Sequence, residues 1–146
     1  MSVRSVAKKL GGRSVVGREL RTDADLIAVV RAGLPSRALE VVFEDLSHLD
    51  LSQAELYATV GSTRTLLRKR ANKTRLSADE SDRLARVVRL LVRAEEAFGD
   101  RMKAHRWLAQ PNRALAGQRP FGLLDSDAGA QAVEHELGRI EHGVFS

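Results

Sequence analysis

The chain contains no cysteine. Disulfides and thiolate metal sites are therefore excluded, which fits a reducing cytosol. No apolar run approaches the roughly 18–20 residues that a membrane span needs, and the N-terminus lacks the apolar centre of a signal peptide. A cytoplasmic protein without a membrane partner is expected. Catalytic signatures are missing as well: HExxH, GxGxxG, the P-loop and the GxSxG elbow do not occur. His48 falls in a loop and His105 beside Trp107, neither with an evident base or nucleophile. His135 and His142 lie seven apart on one helix, and Glu134 and Glu136 do not complete a metal set with them. No enzyme, cofactor or metal is expected.

What is present is charge, and it is segregated. The net charge of +5 conceals a net of +5 in residues 1–21, +6 in 61–77 and +4 in 100–121, against −4 in each of 33–60 and 123–146. Such patches predict a polyanion at one place and a different partner at another.

The strongest helical signal runs from Leu76 to Gly99. Ser77 and Glu80 form a capping box, and Gly99 sits where a helix ends in left-handed backbone. Leu84, Val87, Val88, Leu91 and Phe98 make one apolar stripe. Leu90 and Ala97 widen it, which predicts packing on two sides and makes Leu90 a candidate dimer surface. Asp79–Arg83 and Asp82–Arg86 have the spacing of i,i+4 ion pairs.

Residues 1–21 are rich in Gly, Ser and basic residues with no sustained period, and Gly11-Gly12 interrupts any helix begun at Ser5. They read as a mobile basic arm, either disordered or touching phosphates. Thr22 caps a short helix that stops at Gly33, and Ser36 caps a second. Ser52 with Glu55 caps Gln53–Val60, Gly61 turns the chain, and Ser62 or Thr63 caps a basic helix reaching about Ala71. Beyond the central helix, Asp100 caps Arg101–Leu108. Pro111, Gly117, Pro120 and Gly122 forbid a regular helix in the next stretch. Trp107, Leu115, Phe121 and Leu124 are expected to cluster there against the end of the central helix. Ser126 caps a last helix with Val133, Leu137 and Ile140 on one face, ending at Gly143.

Two short helices joined by a tight turn, the second of them basic, form the pattern of a helix-turn-helix. Its first helix offers Gln53. The N-terminus of its second helix offers orphan N–H groups to phosphate, with Thr63 and Thr65 beside it. Arg64 can pair with guanine O6 and N7, and Arg68, Lys69, Arg70 and Lys73 can neutralise phosphates. The spacing resembles the Xre/Cro class of repressors, with Leu56 inward and Leu67 anchoring the second helix. Tyr57 departs from it where a small residue is usual, and Ser62 where an aliphatic plug is usual.

Residues 36–143 resemble the Xre/MbcA/ParS family of bacterial antitoxins. The resemblance lies in the order and spacing of several short motifs. They are Arg64-Thr65-Leu66, Leu76-Ser77 with Glu80-Ser81-Asp82-Arg83, Ala97-Phe98-Gly99-Asp100, Trp107-Leu108 with Pro111-Asn112, Pro120 with Leu123-Leu124, and Arg139-Ile140-Glu141 before Gly143. It implies an all-α protein in which a helix-turn-helix bundle is joined by a long central helix to a C-terminal helical toxin-binding domain. The segments are then the arm 1–21, the DNA-binding domain 22–76 and the toxin-binding domain 77–146. The implied function is an antitoxin of a type II toxin–antitoxin system that binds its own promoter and occludes a RES-domain, NAD-consuming toxin. The implied partners are that toxin, operator DNA and a second copy in a homodimer. Carried onto this chain, the toxin-facing part is the last helix with Val144, Phe145 and Ser146. Its acidic face of Glu134, Glu136, Glu141 and the terminal carboxylate suits a site built to hold NAD phosphates with basic groups, with Glu134 and Glu141 as the acids expected to touch the toxin. A stand-alone helix-turn-helix regulator with a C-terminal dimerisation or sensing module is the alternative reading.

Overall fold

A computed structural model describes residues 2–143. The proposed contacts Val144, Phe145 and Ser146 lie outside the described residues. In chain order the helices are α1 (Val3–Lys9), α2 (Arg13–Val16), α3 (Asp23–Ala32), α4 (Ser36–Asp45), α5 (Gln53–Ala58), α6 (Thr63–Asn72), α7 (Ala78–Phe98), α8 (Arg101–Ala109) and α9 (Asp127–Glu141). Two 3-10 turns, Arg113–Leu115 and Pro120–Asp125, occupy the proline- and glycine-containing stretch. The described residues hold two isolated bridges and no strand, so the fold is all-α.

Helix α7 is the axis of the structure. Both halves of its capping box form: the Glu80 amide donates to Ser77 Oγ over 3.0 Å and the Ser77 amide donates to Glu80 Oε1 over 2.8 Å. Gly99 ends the helix at φ +67°. Between these ends α7 is buried on most of its circumference, because α1, α3, α8 and α9 all pack on it. One apolar core runs continuously from Val6 through Leu84, Val88 and Leu91 to Leu137.

That enclosure changes three expectations. Leu90 is 5% exposed, so it belongs to the core and cannot be a dimer seam. Arg83 and Arg86 do not pair with Asp79 and Asp82. They donate instead to the carbonyls of Val60, over 3.4 Å, and Leu124, over 3.3 Å. A buried carbonyl needs a donor more than an exposed carboxylate does. The first 21 residues are not a free arm. Val6 on α1 and Leu10 at its C-cap, four apart, are fully buried, and Val16 and Leu20 follow them into the core. Gly11 and Gly12 do break the helix, with φ of +108° and +72°, but the break lets α2 turn back rather than setting the segment loose.

Ser36 also changes role. It is buried inside the first turn of α4, and Pro35 holds the cap position. This follows from the junction between α3 and α7. The Leu34 amide donates to Ser81 Oγ and the Leu76 amide to the Leu34 carbonyl, both over 2.8 Å. Gly33 makes this approach possible at φ +93°, since a Cβ there would lie 2.4 Å from the Leu76 carbonyl oxygen. The junction fixes the start of the central helix against the end of α3.

At the other end, Phe98 and Trp107 pack with ring centroids 5.7 Å apart. Leu108, Phe121 and Leu124 are fully buried and Leu115 nearly so. The irregular stretch is thus a packed cover, and it carries α9 back along α7.

Candidate nucleic-acid interface and partner-binding face

The helix-turn-helix is built by α5, the turn 59–62 and α6. Ser52 and Glu55 cap α5 reciprocally. Ser62 caps α6 by accepting from the Thr65 amide over 3.1 Å. The turn is filled by Val60, which is fully buried, and stiffened by Thr59 Oγ1 donating to the Leu56 carbonyl over 2.6 Å. Val60 therefore supplies the aliphatic plug that Ser62 does not. Gly61 is not in left-handed backbone; it leaves room beside Glu80 Oε2, which would lie 3.4 Å from a Cβ.

The anchor of α6 is Leu66, fully buried, whereas Leu67 is 39% exposed. Two adjacent leucines give two possible helix phases, and the contacts of α6 with α4 and α5 select the one that buries Leu66. Tyr57 is accommodated despite its bulk. It is 1% exposed and packs on Phe43 at 5.2 Å between centroids.

The same phase sorts the basic residues. Arg64, Arg68 and Lys73 are exposed, Gln53 is exposed at the start of α5, and Thr63 and Thr65 are half-buried at the start of α6. Lys69 and Arg70 are turned inward, contrary to the expectation that they face phosphate. Lys69 donates to Glu80 on α7. Arg70 donates to Glu40 Oε1 on α4 over 3.2 Å and to the Tyr57 hydroxyl, and its guanidinium lies 5.9 Å from the Tyr57 ring centroid. Burial alone would raise the Glu80 carboxyl pKa, but the donors from Lys69 and Ser77 outweigh it and hold the group below its ordinary value. The result is a helix with Arg64 and Arg68 free on its outer side and Lys73 free at its C-cap, and an inner pair that fixes its orientation.

On the far side of α7, α9 buries Val133 and Leu137 and turns Glu134 and His135 to solvent. Glu141 is anchored to Arg93 of α7, and Glu136 is paired with Arg139 over 3.1 Å. Of the two acids assigned to partner binding, Glu134 is therefore free to meet another molecule and Glu141 already holds α9 in place.

Residues 45–55 and 101–119 are also joined by polar contacts that the sequence did not announce. Arg119 Nη1 donates to the Asp50 carbonyl over 3.2 Å and lies 3.7 Å from Glu55 Oε1. Arg101 pairs with Asp45. His105, fully buried, stacks on His48 with Nδ1 and Nε2 3.2 Å apart. Residues 48 and 105 are 57 apart in sequence, so no local spacing could have revealed the pair. No group of three or more potential metal ligands occurs among the described residues, and none of their helices is long and apolar enough to cross a membrane.

These features define an all-α protein that joins a helix-turn-helix to a second helical unit through one shared helix. The family model for an antitoxin Xre-like helix-turn-helix domain matches residues 25–89, and that for the antitoxin Xre/MbcA/ParS C-terminal toxin-binding domain matches residues 93–143. An Antitoxin Xre of Yersinia enterocolitica is 39% identical over 106 residues, covering 70% of this chain and 72% of that protein. An Antitoxin Xre of Photorhabdus laumondii is 33% identical over 133 residues, covering 90% and 88%. A protein of a Sphingobium species named Prs ADP-ribosylating antitoxin is 26% identical over 132 residues, covering 84% and 81%. The chain belongs to the Xre antitoxin family.

Proposed function

We propose that this chain neutralises a RES-domain, NAD-consuming toxin with its C-terminal region and represses its own operon by binding promoter DNA with α5 and α6, acting as a homodimer. The observation that carries the reading is the division of one chain between two outward faces. Arg64 and Arg68 stand exposed on α6 and Lys73 at its C-cap, within the helix-turn-helix match. Glu134 stands exposed on α9, within the toxin-binding match.

On DNA, the orphan amides at the start of α6 meet phosphate with Thr63 and Thr65, while Gln53 contacts the backbone from α5. Arg64 reads a guanine edge and Arg68 and Lys73 neutralise phosphates. On the toxin, Glu134 with Val144, Phe145 and Ser146 lies over the active-site entrance. The name of the Sphingobium relative supports the chemistry of the partner, because ADP-ribosylation takes its ADP-ribosyl group from NAD.

The test is co-purification with the toxin of the same operon, run beside a mobility shift on the operon's promoter. A stoichiometric complex and a shifted promoter are expected. Removing residues 143–146 should weaken toxin retention and leave the promoter shift intact. Full protection by the truncated chain would overturn the tail's role.

A further inference from the structure

We propose that the face formed by α3 and α7 is where a second copy of this chain docks, with the two copies related by a two-fold axis and the two α7 helices antiparallel. Three observations lead there. First, a groove of about 380 Å³ lies between the two helices. Leu26, Val30 and Ala85 line it, and Ile27 stands on its rim with 50% of its surface exposed.

Second, the groove is flanked by four charged side chains: Arg31, Asp79, Asp82 and Arg89. All four are exposed, and none has an ion pair or side-chain hydrogen bond to another described residue. The two acids would ordinarily be met from within their own helix. The arginines four residues on, Arg83 and Arg86, are instead taken by the carbonyls of Val60 and Leu124. Asp79 and Asp82 are thereby left without local partners.

Third, the free charges are ordered along α7. The acids come in its first turns and Arg89 follows ten residues after Asp79, about 15 Å along the axis. A two-fold axis perpendicular to α7 reverses the helix direction. It lays the acidic half of one copy over the basic half of the other, and every contact occurs twice. Parallel alignment would set acid against acid. A partner of one sign would meet two groups of its own sign, and a second copy meets none.

The exposed Ile27 of each copy then covers the apolar groove of the other. The proposal rests on the preceding reading for the homodimer itself and for its use, which is to give the DNA-binding unit its second half-site; what it adds is the face on which the copies meet. It is tested without DNA or toxin.

The full-length chain is examined by sedimentation equilibrium, with far-UV circular dichroism to follow folding. The wild type should have about twice the 16.1 kDa chain mass. Asp82→Arg and Arg89→Asp should each give a folded monomer, because each places like charges across the axis twice. An equimolar mixture of the two should recover the dimer mass, because opposite charges then meet at both contacts. Ile27→Glu, at an exposed position, should also give a folded monomer. A monomeric wild type, a dimer that survives both charge reversals or Ile27→Glu, or folded reversals whose mixture stays monomeric would overturn the proposal.

Discussion

Lys69 on α6 donates to Glu80 on α7, so the carboxylate that caps the central helix also holds the second helix of the helix-turn-helix. Neither side chain is more than 20% exposed. The pair sets which basic residues of α6 remain outside.

Salt dependence separates the two sets. Arg68→Ala should reduce the slope of log affinity for promoter against log salt by about one unit. Arg64→Ala should cost about 1–3 kcal/mol of discrimination at one base pair. Lys69→Ala should leave the slope unchanged and cost about 1–3 kcal/mol of folding stability, as expected for a lost hydrogen bond to a charged group. Titrations at several salt concentrations and urea unfolding measure both quantities.

The phase of α6 predicts a contrast between neighbours. Leu66→Ala should destabilise by about 2–5 kcal/mol, because it opens a cavity beside a fully buried site. Leu67→Ala, at a site 39% exposed, should change stability by no more than about 0.5 kcal/mol. Equal losses in urea unfolding would mean that the helix is rotated from the orientation described.

His105 predicts a pH dependence. Burial, assisted by the nearby Arg101, lowers its pKa below the ordinary 6.5. In the acid range the unfolded chain therefore binds a proton that the folded chain refuses. The contribution is complete above pH 6.5 and is lost as pH falls through the depressed folded value. Melting temperature should fall between pH 7.5 and about 5.5, and His105→Gln should flatten that decline. An unchanged slope in the variant would assign the decline to other groups.

Gly33→Ala should destabilise by about 2 kcal/mol or more. It forces a side chain into left-handed backbone and against the Leu76 carbonyl oxygen, 2.4 Å from the added Cβ. Gly99→Ala, at φ +67° with open space around its Cβ, should cost about 1–2 kcal/mol from the backbone alone. Thermal unfolding of the two variants distinguishes close approach from conformation.

The central helix was legible because its signals are local: Ser77 and Glu80 mark its start and Gly99 its end. The exposed Arg64 and Arg68 were legible for the same reason. What the sequence hid depends on partners far along the chain. Lys69 and Arg70 look like their basic neighbours until Glu80 and Glu40 are brought against them. Asp79 and Asp82 have the spacing of helical ion pairs, but Arg83 and Arg86 answer to carbonyls on other elements. Val6 and Leu10 carry an i,i+4 pattern too short to stand out beside two glycines, and the core gives it weight. The His48–His105 contact has no local trace.

The proposed function is tested most directly by measuring NAD in cells expressing the proposed partner, a RES-domain toxin, with and without this chain. NAD should collapse with the toxin alone and be held near its starting level when the chain is present. It should remain protected by Arg64→Ala with Arg68→Ala and be lost again when residues 143–146 are removed. NAD that falls equally with and without the full chain, while both proteins accumulate, would contradict the account.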